Sequence, residues 1–190
     1  MSELPAPLVE VVRSFLVAGE IVSVEGPNGV GKSTLLERLR DAVPGFEIFV
    51  GPRPYEDEKR SLRSAHGLQF RSECWLVELL RLGVPGFLDR GWISIDVYRR
   101  LYARPDPSPS YATWFPEGVP ARGLVVFVES DDATIDSSIE ARGGEYLERF
   151  DLVAERGLFR RAANSYGGAA IVVRRDSDGG YLVSVYRPRR

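Results

Sequence analysis

The sequence predicts an α/β fold in a single domain: a parallel sheet covered by helices on both faces, with a C-terminal edge hairpin. Three observations predict it. Runs rich in Val and Ile alternate with stretches of helical spacing along all 190 residues, as strands do when helices cover their sheet. The first run, Ile21-Val22-Ser23-Val24, passes straight into a glycine-rich loop and then a helix-patterned stretch. The last two runs, Ala170-Ile171-Val172-Val173 and Tyr181-Leu182-Val183-Ser184-Val185-Tyr186, flank the turn residues Ser177-Asp178-Gly179-Gly180, which reads as a hairpin at the edge of the sheet.

The elements follow in order. Residues 1–19 form an amphipathic helix, because Leu8, Val11, Val12, Phe15 and Leu16 share one face and Gly19 stops it. A strand at 20–25, a loop and a helix to about 42 come next. Pro44-Gly45 turns the chain into a strand at Phe46–Val50. Gly51-Pro52-Arg53-Pro54 ends that strand, and a charged loop runs to about 60. The pattern at 61–82 is helical, with Leu68, Cys74, Trp75, Leu76, Leu79 and Leu80 as its core face. Phe87-Leu88 is a short strand ending in Asp89-Arg90, and 92–103 is helical. Pro105–Ser110 is a loop, since its prolines break helix and sheet. Tyr111, Trp114 and Phe115 then either cover a substrate or pack. Leu124–Val128 is the strongest buried-strand run, ended by Asp131 and Asp132. Helices at 133–141 and 145–164 flank Arg142-Gly143-Gly144, and Tyr166-Gly167-Gly168 turns the chain into the hairpin.

Composition excludes several classes. The net charge is −2, so no basic face is implied and nucleic acid is not an expected partner. Lys32 and Lys59 are the only lysines. The single cysteine, Cys74, makes no internal disulfide and reads as a buried small hydrophobe. The single histidine, His66, reads as a surface or helix-cap residue. No stretch is long enough to cross a membrane and no signal-peptide pattern opens the chain, so a cytoplasmic protein is expected.

The octet Gly26-Pro27-Asn28-Gly29-Val30-Gly31-Lys32-Ser33 fits G-x-x-x-x-G-K-[ST], the P-loop, in its proper setting of strand, loop and helix. Its glycines let the backbone N–H groups turn inward around a phosphate. The helix that follows adds the positive end of its dipole. Lys32 is placed to reach the β- and γ-phosphates, and the Ser33 hydroxyl to reach Mg²⁺. The expected ligand is a nucleoside triphosphate with Mg²⁺. A transporter-type ATPase would need an LSGGQ-like signature and a GTPase an NKxD-type base reader; neither is present.

Further residues carry a family resemblance over about residues 20–175. Phe87-Leu88-Asp89-Arg90 resembles the DR motif of thymidylate kinases and deoxynucleoside kinases. Tyr98 stands where thymidylate kinases often carry a Tyr. Val125–Asp131 resembles their strand ending in LDVD, and Ala141-Arg142-Gly143-Gly144 their lid entry. Tyr146-Leu147-Glu148-Arg149-Phe150 is closer to the YLE segment of deoxynucleoside kinases. The resemblance implies a P-loop kinase fold over 1–190 with a lid at about 140–152. It implies ATP and Mg²⁺ as cofactors and a nucleoside or nucleotide acceptor. A homodimer is left open.

It also implies roles. Asn28, Gly29, Val30, Gly31, Lys32, Ser33 and Thr34, with Arg142, hold ATP. Ser33 and Asp89 hold Mg²⁺, with Glu129 and Asp131 as assistants or strand-end caps. Lys32, Asp89, Arg90 and Arg142 are the catalytic set, and Arg149 is a second lid candidate. Arg53 and Arg90 reach an acceptor phosphate. Phe70 stacks on the base or joins the core, Arg71 or Gln69 reads the base edge, and Tyr98 packs on the sugar. The leading expectation is transfer from ATP to a pyrimidine deoxynucleoside monophosphate. Three departures keep other readings open. The R-E-P-G-G segment is reduced to Arg53-Pro54, the general base falls to Glu56 or Glu58, and Ser138 stands at the second lid Arg. The alternatives are a deoxynucleoside kinase, a kinase of a modified nucleoside, and a non-catalytic ATP-binding switch.

Overall fold

The computed structural model describes residues 3–55, 65–115, 123–141 and 149–187, the side chains of 149–151 excepted. The elements are α1 (Ala6–Val17), β1 (Ile21–Glu25), α2 (Lys32–Ala42), β2 (Ile48–Val50), α3 (His66–Leu82), β3 (Gly86–Asp89) and α4 (Trp92–Leu101). They continue with α5 (Pro109–Trp114), β4 (Leu124–Glu129), α6 (Asp132–Glu140), α7 (Arg149–Ser165), β5 (Ala170–Arg175) and β6 (Tyr181–Arg187). The strands form one six-stranded sheet in the order β2-β3-β1-β4-β5-β6. The first five are parallel, and β6 runs antiparallel to β5 as the edge hairpin. No helix among the described residues is long and apolar enough to cross a membrane.

Period-two alternation divides the core in two. In β4, Leu124, Val126 and Val128 face one cluster, with Leu8, Val12 and Leu16 of α1, Leu35, Leu36 and Leu39 of α2, and Ile135 of α6. Val125 and Phe127 face the other, with Leu76 of α3, Trp92 and Val97 of α4, and Phe159 of α7. All five of these β4 side chains are at most 1% exposed, and each contributes about 1.5–3 kcal/mol by burial. The polar exceptions on the second face of β1 are Ser23 and Glu25, both 0% exposed.

Three expectations are corrected. Pro109 and Ser110 open α5 rather than extend a loop, with Ser108 as N-cap accepting from Tyr111 N. Proline is tolerated there because the first helical N–H has no intrahelical partner anyway. Cys74 is exposed, not buried. The inward stripe of α3 runs through Gln69, Glu73, Leu76 and Val77. Two of its positions are polar, so the apolar pattern alone sets the face part of a turn off. Finally, β2 begins at Ile48 rather than Phe46.

Helices α6 and α7 are tied by ion pairs. Arg156, only 6% exposed, pairs with Asp136 at 2.5 Å and lies 3.8 Å from Asp132, while Arg160 also pairs with Asp132. Asp136→Ala strips the short contact from a buried guanidinium. It is expected to cost about 1–3 kcal/mol, because the lost carboxylate is itself partly solvated. Urea denaturation with an unchanged slope would show it; an unchanged midpoint would show the pair to be idle.

Candidate active site

The carboxyl ends of β1, β3 and β4 lie side by side, where open parallel sheets collect ligands. β1 ends in Glu25, and Gly26 leaves the sheet at φ 148°. A Cβ there would meet the Val128 carbonyl oxygen at 2.6 Å. Gly31, at φ 95°, is the N-cap of α2. Asn28 and Gly29 are half-buried, Val30 is in the core, and Ser33 and Thr34 are exposed on the first turn of α2. Lys32 is 6% exposed. It folds back so that its Nζ donates to the Pro27 carbonyl at 2.6 Å.

Burial pushes the Lys32 pKa well below its usual 10.5, and the Arg90 charge adds to this; Glu155, Asp89 and Glu25 oppose it. Between the lowered folded value and 10.5, the unfolded chain binds more protons at Lys32 than the folded one. The Lys32 contribution to stability therefore rises with pH through that window. A bound phosphate favours the charged form, so nucleotide binding in the same window should take up a proton. Calorimetry at alkaline pH in two buffers of different ionisation enthalpy would read that uptake; identical heats after dilution correction would refute it.

The other side of the site is built from β3 and α4. Asp89 ends β3, and Arg90 follows in the left-handed region at φ 69°. Its Nη2 donates to Asn28 Oδ1 at 2.6 Å, and its Nη1 lies 3.4 Å from Gly26 O and Ser94 Oγ. The guanidinium sits over the Tyr98 ring, 5.2 Å from its centroid. Glu25 accepts from Ser23 Oγ, from the Gly91 amide at 2.7 Å and from Ser94 Oγ. It thereby caps the start of α4 with a carboxylate. Burial raises the Glu25 pKa, against those hydrogen bonds and Arg90.

A cavity of about 240 Å³ opens between β2, α3 and α4. Gly51, Gln69, Trp75, Asp89, Arg90 and Tyr98 are among its lining. Gln69 Nε2 donates to Glu73 Oε1 at 2.8 Å and to Pro105 O at 3.1 Å. The segment that starts at Pro105 thus holds Gln69, one of the lining residues, in place.

The structure gathers Lys32, Asp89, Arg90, Tyr98 and Gln69 and leaves other candidates outside. Phe70 is 60% exposed and neither stacks in the cavity nor joins the core, because it lies off the inward stripe of α3. Arg71 lies over the Tyr55 ring at 3.8 Å and reaches Arg53 O at 3.4 Å. Arg53 is exposed and does not line the cavity. Asp131 caps α6 through Thr134 N, and the Thr134 hydrogen bonds hold its carboxyl below the usual range. Tyr111 and Phe115 stack on each other at 4.3 Å and pack beside Trp92, away from this cavity. Glu56, Glu58, Arg142 and the side chain of Arg149 lie outside the described residues.

Sequence reasoning missed Glu25, Glu155 and Arg175. Glu155, 0% exposed on α7, accepts from Tyr98 Oη at 2.7 Å and from the Asn28 amide at 3.2 Å. The Arg175 guanidinium, from the end of β5, lies 3.3 Å from Ser138 Oγ. A cation thus reaches Ser138 from another element. A charged residue at the last position of a buried strand is a usable signal for Glu25 and Arg175. Glu155 gave none, being one acid in a charge-rich helix.

Among the described residues no group of three or more His, Cys, Asp or Glu could hold a metal unaided. The Ser33 hydroxyl and the Asp89 carboxylate are oxygen donors. They suit Mg²⁺, which commonly binds through one or two protein oxygens and substrate phosphates.

No protein-family model matches this sequence, and no curated protein does. Solved structures share its architecture. Deoxyadenosine kinase from M. mycoides with bound dCTP matches with a TM-score of 0.59 at 18% identity, over 83% of this chain and 90% of that one. The YorR protein from Bacillus subtilis, in complex with phosphorylated GDP, gives 0.60 at 20% identity, over 84% and 90%. Thymidylate kinase from Candida albicans gives 0.55 at 16% identity, over 90% and 98%. The chain therefore has the fold of P-loop nucleoside and nucleotide kinases.

Proposed function

We propose that this chain is an ATP-dependent phosphotransferase that moves the γ-phosphate to a nucleoside or nucleotide with a pyrimidine base and a deoxyribose. The observation that carries the reading is that Arg90 belongs to both halves of the site. Its fork holds Asn28 of the phosphate loop while its side chain lines the 240 Å³ cavity. A donor phosphate on the loop and an acceptor in the cavity would then meet across Asp89 and Arg90.

Phosphoryl transfer asks chiefly for positioning and charge neutralisation. Lys32 leaves the Pro27 carbonyl for the donor phosphates, and the loop amides and the start of α2 complete the cradle. Mg²⁺, which Ser33 and Asp89 would hold, would neutralise phosphate charge. Asp89 is also the described carboxylate on the cavity wall, placed to accept the proton of an attacking hydroxyl. Tyr98 would pack on the sugar and Gln69 would face the base. Arg142, at the lid entry, would neutralise charge developing on the transferred group.

Two acceptors fit this frame. A deoxynucleoside monophosphate, as for a thymidylate kinase, draws on Arg53 and Arg90 for its phosphate. The free deoxynucleoside needs no such clamp, and the exposed Arg53 and the committed Arg90 fork favour it. An ADP-release assay with ATP and Mg²⁺ across deoxynucleosides and their monophosphates decides. Turnover on dTMP alone supports the first reading, and turnover on thymidine alone the second. ATP binding without turnover on any member would replace both with a non-catalytic switch. A cytoplasmic location is part of the same proposal.

A further inference from the structure

Glu155 comes from α7, behind the site, and its carboxylate takes hydrogen bonds from both halves. Oε1 accepts from Tyr98 Oη at 2.7 Å and from the Asn28 backbone amide at 3.2 Å; Oε2 accepts from Asn28 Nδ2 at 3.3 Å. The other end of the Asn28 amide, Oδ1, accepts from Arg90 Nη2 at 2.6 Å. Tyr98 and Arg90 both line the acceptor cavity. Asn28 belongs to the loop that would hold the donor phosphates. Glu155 is 0% exposed, so water does not substitute for any of these bonds.

The geometry points to Glu155 as a positioning residue that couples the acceptor cavity to the donor-phosphate loop. The inference rests on the kinase reading above and deepens it. An acceptor that orders Tyr98 and Arg90 orders both neighbours of Asn28, and with them the loop amide. The donor-phosphate site is then preorganised when the cavity is filled. By linkage the effect is reciprocal: filling the loop tightens the cavity by the same factor.

The polarity of the chain makes it testable without disturbing shape. Asn28 can serve Arg90 and Glu155 together only with Oδ1 toward the guanidinium and Nδ2 toward the carboxylate. In Glu155→Gln one amide end must face a donor. If the new Nε2 points at Asn28 Nδ2, the side chains oppose each other. If it points the other way, it meets the Asn28 backbone N–H, which cannot turn. Asn28→Asp alone sets two carboxylates against each other. The double variant Asn28→Asp/Glu155→Gln restores the match: the new carboxylate accepts from Arg90 and from the Gln Nε2, and the Gln Oε1 accepts from Tyr98 and the backbone amide.

The experiment is calorimetric. The affinity of full-length protein for Mg²⁺ with a non-hydrolysable ATP analogue is measured alone and with saturating dTMP or thymidine. In the wild type, a filled cavity should tighten nucleotide binding on the order of 5–100-fold. Glu155→Gln should bring that ratio to within about twofold of unity, and the double variant should recover most of it. Thermal melts establish folding. If Glu155→Gln does not fold, Tyr98→Phe cuts the same chain at the cavity end and should lose the ratio as well. A wild-type ratio in either single variant, a ratio of unity in the wild type, or no recovery in the double variant overturns the coupling. Failure of both dTMP and thymidine to bind the wild type instead overturns the kinase reading beneath it.

Discussion

Lys32→Ala is expected to lower turnover by about 10²–10³-fold or more, the loss seen when one donor aimed at developing charge is removed from a preorganised site. The expectation comes from where Lys32 sits. It is the lysine of the phosphate loop, it is 6% exposed, and its ammonium is parked on a carbonyl of its own loop, Pro27 O at 2.6 Å. A phosphate competes with a neutral carbonyl for that ammonium and wins on charge. Among the described residues no other lysine stands near, and the Arg90 fork is committed to Asn28. Initial rates over a range of ATP would separate the effects. A fall in turnover with little change in KM would place the contact in the transition state. Turnover within a factor of three of wild type would remove Lys32 from the chemistry and with it the kinase reading.

Gly26→Ala is the second large effect, on stability and binding together. The residue leaves β1 at φ 148°, a region L side chains rarely enter. The added methyl would lie 2.6 Å from the Val128 carbonyl oxygen and 3.2 Å from Val30 Cγ1. The first of these is backbone of the neighbouring central strand and cannot swing aside. Strain of about 1–3 kcal/mol plus that clash should lower stability by about 2–4 kcal/mol. For a domain of this size the melting temperature should fall by about 5–15 °C. The loop must then shift off β4, so nucleotide affinity should drop at least about tenfold. Gly19→Ala is the control: it too has positive φ, at 80°, but its added methyl would meet nothing within 4 Å. If Gly26→Ala costs no more than Gly19→Ala, close packing of loop against strand is not what fixes the loop.

The sequence made some of this plain for physical reasons. The phosphate loop is a local device, so its eight residues carry their own geometry. The buried strand at 124–128 announces itself because both of its faces are covered. Asp89-Arg90 is legible because a strand ends there and the two charges have no other business at its end. What stayed hidden is what sequence spacing does not encode. Glu155 meets Asn28 across 127 residues and Arg175 meets Ser138 across 37, and neither pairing leaves a local trace. α3 misled for a different reason. Gln69 and Glu73 are polar yet 6% and 2% exposed, because each finds partners in the segment from Pro105 to Ser108. A pattern of apolar residues therefore turned the helix, and Phe70 and Cys74 with it, toward the wrong side.

The edge hairpin has a bearing on how the molecule is made. The Tyr181 hydroxyl donates to the Gly31 carbonyl at 3.0 Å, across 150 residues of chain. Those two residues leave a ribosome in that order, at about 5–20 residues per second. For roughly 8–30 s the nascent chain has its phosphate loop but not the strand whose Tyr181 hydroxyl bonds it. The first strand, loop and helix form before the hairpin that supplies this hydrogen bond has been made. A truncated product that stops before residue 181 would keep the signature motif and lack the hydrogen bond that the Tyr181 hydroxyl donates to its Gly31 carbonyl.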